Sequence, residues 1–291
     1  MPKLLSGIKV RDEVILELKK KFEANSATGS AAELAIIQVG NRADSTLYIQ
    51  AKTNFAKKIG VVVRLIHLQD SALQKITQEQ VISEIGKCNK DSSIKGIIVQ
   101  LPLPDGFDKE KIIDTIDPKK DSDGLTSVNK KLLLEGNSMA IVPATARGVM
   151  RLLKYYQIDL VGKKITVVGR SELVGKPIAI LCKKAGAILT VAHSKTTDLA
   201  AETKNADIII VAVGKKNLIR TEHVSPGQTI IDIGISRDGI VGESNKKIVG
   251  DVDFEAVSGV IGSTGAITPV PGGVGPMTVL ALFENLADAC K

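Results

Sequence analysis

The segment Lys163–Pro177 constrains the fold most, because it joins a short apolar strand to a helix start marked by glycines. Residues 165–168 read Ile-Thr-Val-Val, which is typical of a buried strand. Gly169 and Gly175 let the backbone turn tightly and approach a ligand, and Pro177 suits a first helical turn. The free N–H groups of such a helix start attract a phosphate. The segment therefore predicts a dinucleotide-binding α/β unit. Because its spacing departs from G-x-G-x-x-G, an ordinary strand-turn-helix stays open as an alternative.

The strand that follows this helix ends in residues that favour NADP over NAD. Residues 187–194 read Ala-Ile-Leu-Thr-Val-Ala-His-Ser and predict that strand. An NAD enzyme places an Asp or Glu near this strand end for the ribose 2′-hydroxyl, whereas residues 193–196 here read His-Ser-Lys-Thr. Two hydroxyls and a cation, with Arg170 nearby, suit a 2′-phosphate. The alternative is that Arg170 and Lys195 are only solvated.

Length and composition indicate a globular protein of two domains. A chain of 291 residues exceeds what one core usually serves. The net charge of +7 comes from scattered lysines, and aromatic residues make up only 3%, so neither a basic stripe nor stacking platforms for nucleic acid are present. No segment has the apolar length of a membrane span or of an export signal. We therefore expect neither nucleic acid nor a membrane as a partner.

The cysteines and histidines argue against disulfides and metal sites. Cys88, Cys182 and Cys290 are odd in number and far apart, which fits a reducing, cytoplasmic compartment. The three histidines do not fall at metal-ligand spacings. We expect no metal.

The first half of the chain alternates strands and helices. The predicted elements are strand 34–39, helix 46–59, strand 61–68, helix 78–87 and a strand from residue 94 that ends at Gln100. Continuous apolar strands separated by helices predict a parallel sheet covered on both faces. Gln100 interrupts the apolar run where the strand should end, and ligands gather at such carboxyl ends.

The second half predicts another parallel sheet. Its predicted elements are helix 145–156, strands 165–168, 188–192, 207–213 and 229–233, a turn with Asp238-Gly239 at its tip, and closing helix 279–289. Residues 269–277 read Pro-Val-Pro-Gly-Gly-Val-Gly-Pro-Met, and these prolines and glycines predict a stiff loop that allows close backbone approach.

Several blocks spread over the chain carry a family resemblance. They are residues 4–7 (LLSG), 48–52 (YIQAK), 96–104 (GIIVQLPLP), 120–124 (KDSDG), 168–171 (VGRS), 193–196 (HSKT) and 269–277 (PVPGGVGPM). Together and in this order, they make the chain resemble the bifunctional methylenetetrahydrofolate dehydrogenase/cyclohydrolase family. The resemblance implies NADP-dependent oxidation of 5,10-methylenetetrahydrofolate to the 5,10-methenyl form, followed by hydrolysis to 10-formyltetrahydrofolate.

The resemblance also implies an architecture. It is of the α/β class, with two α/β domains that have parallel sheets, the second Rossmann-like, separated by an active-site cleft. We expect a folate-binding catalytic domain over residues 1–142, to which the closing helix 274–291 returns, and a Rossmann-like NADP-binding domain over residues 143–273. Family members pair as homodimers through the dinucleotide domain.

Site residues follow from the same resemblance. The implied catalytic residues are Tyr48, Lys52, Gln100 and Asp123. The implied folate contacts add Val99, Leu101, Pro269, Val270, Pro271, Gly272, Gly273, Val274, Gly275, Pro276 and Met277. The implied dinucleotide contacts are Gly169, Arg170, Ser171, Ser194 and Ile235.

The predicted hydrolysis needs a group that takes and returns protons near neutral pH, and Lys52 is the candidate. Partial burial beside a cationic substrate would lower the pKa of Lys52, and Gln100 would orient the amine without adding a charge. Asp123 would accept hydrogen bonds from the pterin, and Tyr48 would position the ring. Without the family resemblance, we would expect Lys52 to be an ordinary solvated lysine. A shikimate- or amino-acid-dehydrogenase-like enzyme and a non-catalytic NADP-binding module remain alternatives.

Overall fold

The computed structural model describes residues 1–26, 31–71, 75–238 and 247–290. These residues form two compact units. The six-strand unit comprises Met1–Asp12 and Thr145–Thr278, and the three-strand unit comprises Glu13–Ala144 and Val279–Lys291.

Strands and helices alternate through most of the chain. In the first half they are β1 (Lys3–Leu4), α1 (Gly7–Ser26), β2 (Glu33–Val39), α2 (Ala43–Ile59), β3 (Val62–Leu68), α3 (Gln78–Lys90), β4 (Ile94–Val99), α4 (Lys109–Ile113), α5 (Ser127–Leu134) and α6 (Ala144–Tyr155). In the second half they are β5 (Lys164–Val168), α7 (Gly175–Lys184), β6 (Ile188–Ala192), α8 (Leu199–Lys204), β7 (Ile208–Val211), a 3₁₀ turn (Thr221–His223), β8 (Thr229–Asp232), β9 (Ser236–Asp238), β10 (Lys247–Val249), α9 (Phe254–Ile261), β11 (Ala266–Ile267) and α10 (Val274–Ala289).

The three-strand unit is built on a parallel sheet of order β3-β2-β4. The central strand β2 is buried along nearly its whole length, and its Ala35, Ile37 and Val39 pack with Val81 and Ile85 of α3. Helix α3 begins with a capping box, in which the Thr77 hydroxyl accepts the N–H of Gln80 and the Gln80 side chain accepts the N–H of Thr77. Strand β4 ends at Val99, so Gln100 directly follows a carboxyl end, as predicted.

The six-strand unit is built on a parallel sheet of order β1-β11-β8-β7-β5-β6. The inner strands consist mainly of β-branched apolar residues. In β7, for example, all four residues are buried, namely Ile208, Ile209, Ile210 and Val211. The prediction of an α/β fold with two parallel sheets, the second Rossmann-like, is confirmed.

The N-terminal residues belong to the six-strand unit, whereas the predicted domain boundaries placed residues 1–142 together. Lys3 and Leu4 pair with Ala266 and Ile267 of β11, and Gly7 donates its N–H to the carbonyl of Gly272. A strand of two residues carries no periodicity, so the sequence pattern could not reveal it.

Strands β9 and β10 form an antiparallel pair in which Lys247 lies opposite Asp238. The predicted turn tip, Asp238-Gly239, therefore begins at the end of β9, and Gly239 lies outside the described residues. None of the helices in the described part of the chain combines the length and the apolar character needed to span a bilayer.

Candidate active site

Lys52 lies on the buried face of α2 and is only 8% exposed. Its Nζ donates a hydrogen bond to Oε1 of Gln100 at 3.0 Å. Burial lowers the pKa of the Lys52 amine, and the negative charge of Asp123 partly opposes that shift. Lys52 is therefore poised to lose its proton more readily than a solvated lysine.

Gln100 is held so that its carbonyl oxygen faces Lys52. The Gln100 backbone N–H donates to the carbonyl of Ile37 at 2.8 Å, and its side-chain Nε2 donates to the carbonyl of Leu101 at 2.8 Å. With the amide nitrogen engaged, Oε1 is left to accept from the amine. Gln100 can thus orient Lys52 without adding a charge.

Asp123 and Tyr48 complete the predicted catalytic set within the three-strand unit. Burial raises the pKa of the Asp123 carboxyl, and the positive charge of Lys52 opposes this shift. Tyr48 is 40% exposed and precedes Lys52 by one turn of α2, which places both side chains on one side of the helix. The structure therefore brings Lys52, Gln100 and Asp123 together, with Tyr48 one helical turn away.

A buried polar network that the sequence did not reveal fixes the loop around Asp123. Oδ2 of Asp121 accepts hydrogen bonds from the N–H and hydroxyl of Thr126, both at 2.8 Å, and from Nδ2 of Asn129 at 2.9 Å. In the sequence, Asp121 is one of the two acids in the block at residues 120–124. Its burial, at 1% exposure, shows that it anchors the turn instead of facing solvent.

Asn285 supports the same loop from α10. Its Nδ2 donates to the carbonyls of Ser122 and Val142, each at 2.9 Å. The sequence holds one signal for this role, since Asn285 lies one helical turn from the apolar Ala281 and Leu282 in a mostly apolar helix.

The glycines of the predicted phosphate-binding turn are required by close backbone contacts. Gly169 follows β5 with φ +116°, and a Cβ there would overlap the carbonyl oxygen of Ala212. A Cβ on Gly175, the first residue of α7, would overlap the carbonyl oxygen of Gly169. Larger side chains at these two positions would therefore disrupt the turn.

The other predicted dinucleotide contacts lie on the same edge of the six-strand sheet. Arg170 and Ser171 follow β5, Ser194 follows β6, and Ile235 follows β8. All four side chains are exposed, and Ile235 is 46% exposed. Because the strands are parallel, these carboxyl ends lie along one side of the sheet, where ligands bind in open α/β sheets.

The predicted folate-contact segment 269–277 is half loop and half helix. Residues 269–273 precede α10, and Val274 through Met277 form its first turn. Val274 and Met277 are buried, whereas the prolines Pro269, Pro271 and Pro276 keep some exposure. The segment packs closely on the chain start, because a Cβ on Gly7 would overlap the carbonyl oxygen of Gly273.

Family models match both halves of the chain. Residues 5–123 match the tetrahydrofolate dehydrogenase/cyclohydrolase catalytic domain, and residues 143–291 match the NAD(P)-binding domain of the same enzymes. The chain belongs to the tetrahydrofolate dehydrogenase/cyclohydrolase family. This confirms the resemblance drawn from the sequence blocks and the prediction of an enzyme.

Relatives with the same domain pair span nearly the whole chain. A bifunctional protein FolD of Staphylococcus aureus is 39% identical over 290 residues, which cover 99% of this chain and 96% of the relative. The crystal structure of FolD from Campylobacter jejuni is 40% identical, covers 100% of this chain and 99% of that chain, and has a TM-score of 0.92. The Trypanosoma brucei FolD structure, complexed with NADP and an inhibitor, is 32% identical, with a TM-score of 0.91 and coverage of 100% and 98%.

These matches decide between the alternatives left open by the sequence. Since both halves match one family of bifunctional folate enzymes, a shikimate- or amino-acid-dehydrogenase-like enzyme is not favoured. The buried Lys52–Gln100 pair likewise argues against a binding module without catalysis.

Proposed function

We propose that this enzyme oxidises 5,10-methylenetetrahydrofolate with NADP⁺ and then hydrolyses the 5,10-methenyl product to 10-formyltetrahydrofolate. The observation that carries the proposal is the hydrogen bond from the buried Lys52 amine to Gln100, beside Asp123. The family match supplies the substrate class and the pair of activities.

The first step requires mainly placement of the substrate. The methylene carbon lies between two nitrogens whose lone pairs stabilise the cation left when hydride departs, and bound NADP⁺ accepts that hydride. Asp123 accepts hydrogen bonds from the amino and N–H groups of the pterin, which orients the ring. Tyr48, which is 40% exposed, positions the same ring through aromatic contact.

In the second step, the hydrolysis, Lys52 takes and returns the proton. Water adds its oxygen to the methenyl carbon, and the neutral amine of Lys52 takes the proton that the water loses. The bond from that carbon to N5 then breaks, N5 receives a proton from the Lys52 ammonium, and the hydroxyl proton is released as the formyl group forms. The lowered pKa of Lys52 suits both proton transfers, because the amine must exchange a proton near neutral pH.

Folate contacts are proposed for two further stretches. Val99 and Leu101 flank Gln100 at the end of β4, so their backbone lies beside the amide that orients Lys52. The glycines and prolines of residues 269–277 allow close backbone approach to a flat ligand.

We propose NADP, with Arg170 binding its 2′-phosphate. Arg170 is exposed beside the α7 start, no acid occupies residues 193–196 after β6, and a relative of 32% identity was solved with NADP. Replacing Arg170 with Ala should weaken NADP⁺ binding about tenfold or more and change NAD⁺ binding little. Titration calorimetry with both dinucleotides measures this, and Lys183→Ala, which removes an exposed cation from the other end of α7, is the control. Equal losses for the two dinucleotides would contradict the contact.

An absorbance assay tests the two activities together. Purified protein is mixed with 5,10-methylenetetrahydrofolate and NADP⁺, while NADPH, methenyltetrahydrofolate and its hydrolysis are followed. We expect NADPH to form and the methenyl signal to decay without further addition. NADPH formation with a lasting methenyl signal would remove the cyclohydrolase from the proposal, and no NADPH would remove the dehydrogenase.

We also propose a homodimer that forms through the six-strand unit. Strand β6 is an edge of its sheet, and its apolar Ile188 is 59% exposed. Light scattering should give twice the 30.9 kDa chain mass, and Ile188→Asp should shift the protein towards the monomer. Leu16→Asp, which changes a leucine of α1 that is 66% exposed, should leave the mass unchanged. A monomeric wild type would contradict the dimer.

We propose a cytoplasmic location because the cysteines are free thiols. Cys88, Cys182 and Cys290 are all free, and the first two are buried. Free thiols are compatible with a reducing compartment.

A further inference from the structure

Asp251 is a fully buried carboxylate at the ligand-binding edge of the six-strand sheet. Its Oδ2 accepts hydrogen bonds from the N–H groups of Val213, at 2.7 Å, and Gly214, at 2.9 Å. Both residues lie in the loop that follows β7. The second oxygen, Oδ1, is buried and has no hydrogen-bond partner among the described residues. A carboxylate half-satisfied in this way is costly to bury, so its place requires an explanation.

A second buried acid, Asp232, ties Asp251 to the next strand. Asp232 ends β8, and its Oδ1 accepts the N–H of Gly234 at 2.9 Å and the N–H of Asp251 at 3.1 Å. Its Oδ2 accepts the N–H of Val252 at 2.9 Å. Burial raises the pKa of Asp232 to about 7, and the negative charge of Asp251 adds to the shift. The two acids therefore link the loops after β7 and β8.

Two glycines leave room for the carboxylates of these acids because they carry no side chain. A Cβ on Gly234 would overlap the carboxylate of Asp251, and a Cβ on Gly250 would overlap the carboxylate of Asp232. The Asp251 carboxylate consequently lies directly against the backbone that leads into Ile235.

The loops after β7 and β8, which Asp251 and Asp232 hold, are the ones that remain for the nicotinamide. In a Rossmann-like sheet the adenosine ribose lies at the end of the strand after the glycine turn, which is β6 here, and the pyrophosphate lies at that turn. The other end of the dinucleotide then falls on the loops after β7 and β8. Those loops present Val213 and Ile235, which are 47% and 46% exposed and give a flat ring an apolar surface.

We propose that Asp251, braced by Asp232, is a positioning residue for the nicotinamide end of the dinucleotide and favours its oxidised, positively charged form. The inference rests on the proposed use of NADP. The Asp251 carboxylate fixes the loop after β7 by accepting two backbone N–H groups, and Asp232 fixes the loop after β8 by accepting the N–H of Gly234. The negative charge of Asp251 attracts the cationic ring of NADP⁺ but not the neutral ring of NADPH. The effect suits an enzyme that must bind the oxidised dinucleotide before it takes a hydride.

The test compares dissociation constants for NADP⁺ and NADPH at pH 8, where Asp232 is mostly ionised. Wild type should bind NADP⁺ more tightly than NADPH. Asp251→Asn and Asp232→Asn, which keep the side-chain shape, should each lower that preference about threefold or more, mainly by weakening NADP⁺ binding. Either variant suffices if the other fails to fold.

Gln228→Leu is the matched control. Gln228 is buried just before β8, at the amino ends of the strands and so away from the ligand-binding side of the sheet. Its Nε2 donates to the carbonyls of Thr203 at 2.8 Å and Ala206 at 2.6 Å. This variant should lower the melting temperature but leave the ratio of the two dissociation constants unchanged.

The outcomes separate this inference from the proposed function. A wild type that binds NADPH at least as tightly as NADP⁺, or acid variants that keep the wild-type ratio, would overturn the role of the acids. A wild type that binds neither dinucleotide would overturn the proposed function itself.

Discussion

Lys52 differs from an ordinary lysine because its amine is buried, which lowers its pKa. Most lysines are solvated, as the exposed Lys57 and Lys58 of α2 are, whereas Lys52 falls at helical spacing from the buried Ile49 and Phe55. Its hydrogen bond to Gln100 joins residues 48 positions apart, so only the folded three-strand unit creates it. Burial lowers the pKa of Lys52, and Gln100, being neutral, adds no charge that would raise it again.

Replacing Gln100 with Glu should therefore slow hydrolysis by raising the pKa of Lys52. A carboxylate beside the amine favours the protonated form, so less neutral amine is available at pH 7. We expect the rate of methenyltetrahydrofolate hydrolysis at pH 7 to fall about tenfold or more, and the rising limb of its pH profile to move to higher pH. Gln100→Ala should lower the rate without that upward move. A Glu variant whose pH profile matches wild type would contradict the role given to Gln100.

The sequence predicted some of these residues through the family resemblance but not the residues that hold them. Tyr48, Lys52, Gln100 and Asp123 lie in recognisable blocks. Asp121 lies in the same block as Asp123, but only its burial and hydrogen bonds reveal that it anchors the turn.

Among the elements, α3 depends on a side chain from outside the helix. Nζ of Lys120 donates to the carbonyls of Cys88 at 3.1 Å, Asn89 at 2.8 Å and Asp91 at 2.8 Å. The first two residues belong to the last turn of α3, and Asp91 is its C-cap. A cation at this end satisfies free carbonyls and complements the helix dipole.

Lys120→Met should consequently destabilise the protein by about 1–2 kcal/mol, since three carbonyls lose a charged donor. Urea unfolding followed by circular dichroism measures the change in the free energy of unfolding. Lys119→Met is the control, because the neighbouring Lys119 is exposed, and its replacement should change stability little. Equal stability of the two variants would contradict the capping role of Lys120.

Element types were more predictable than element ends. Apolar strands separated by helical patterns identified the strands β2 to β8 and most of the helices, because both periodicities are strong there. Helix α10 begins at Val274 inside the glycine- and proline-rich segment, although residues 279–289 alone showed a clear apolar helix. Pro276 falls in the first turn, where proline is tolerated, so composition alone misled about the boundary.

At the scale of the whole molecule, the proposed functions fall on different units. Lys52, Gln100 and Asp123 belong to the three-strand unit, and Gly169, Arg170 and Ile235 belong to the six-strand unit. The alternation of strands and helices predicted two parallel sheets, but not that the chain start joins the second sheet. That assignment depends on pairing between residues more than 250 positions apart, such as Lys3 with Ala266.

Because Lys52 and the predicted dinucleotide contacts belong to different units, the rate of hydrolysis by Lys52→Met tests the role of the amine most directly. Methionine keeps a long apolar side chain in the buried site but cannot exchange a proton. We expect the rate of methenyltetrahydrofolate hydrolysis to fall at least about a hundredfold, while the dissociation constant for NADP⁺ stays at the wild-type value. Hydrolysis at the wild-type rate would contradict the central claim that the buried amine of Lys52 carries the proton.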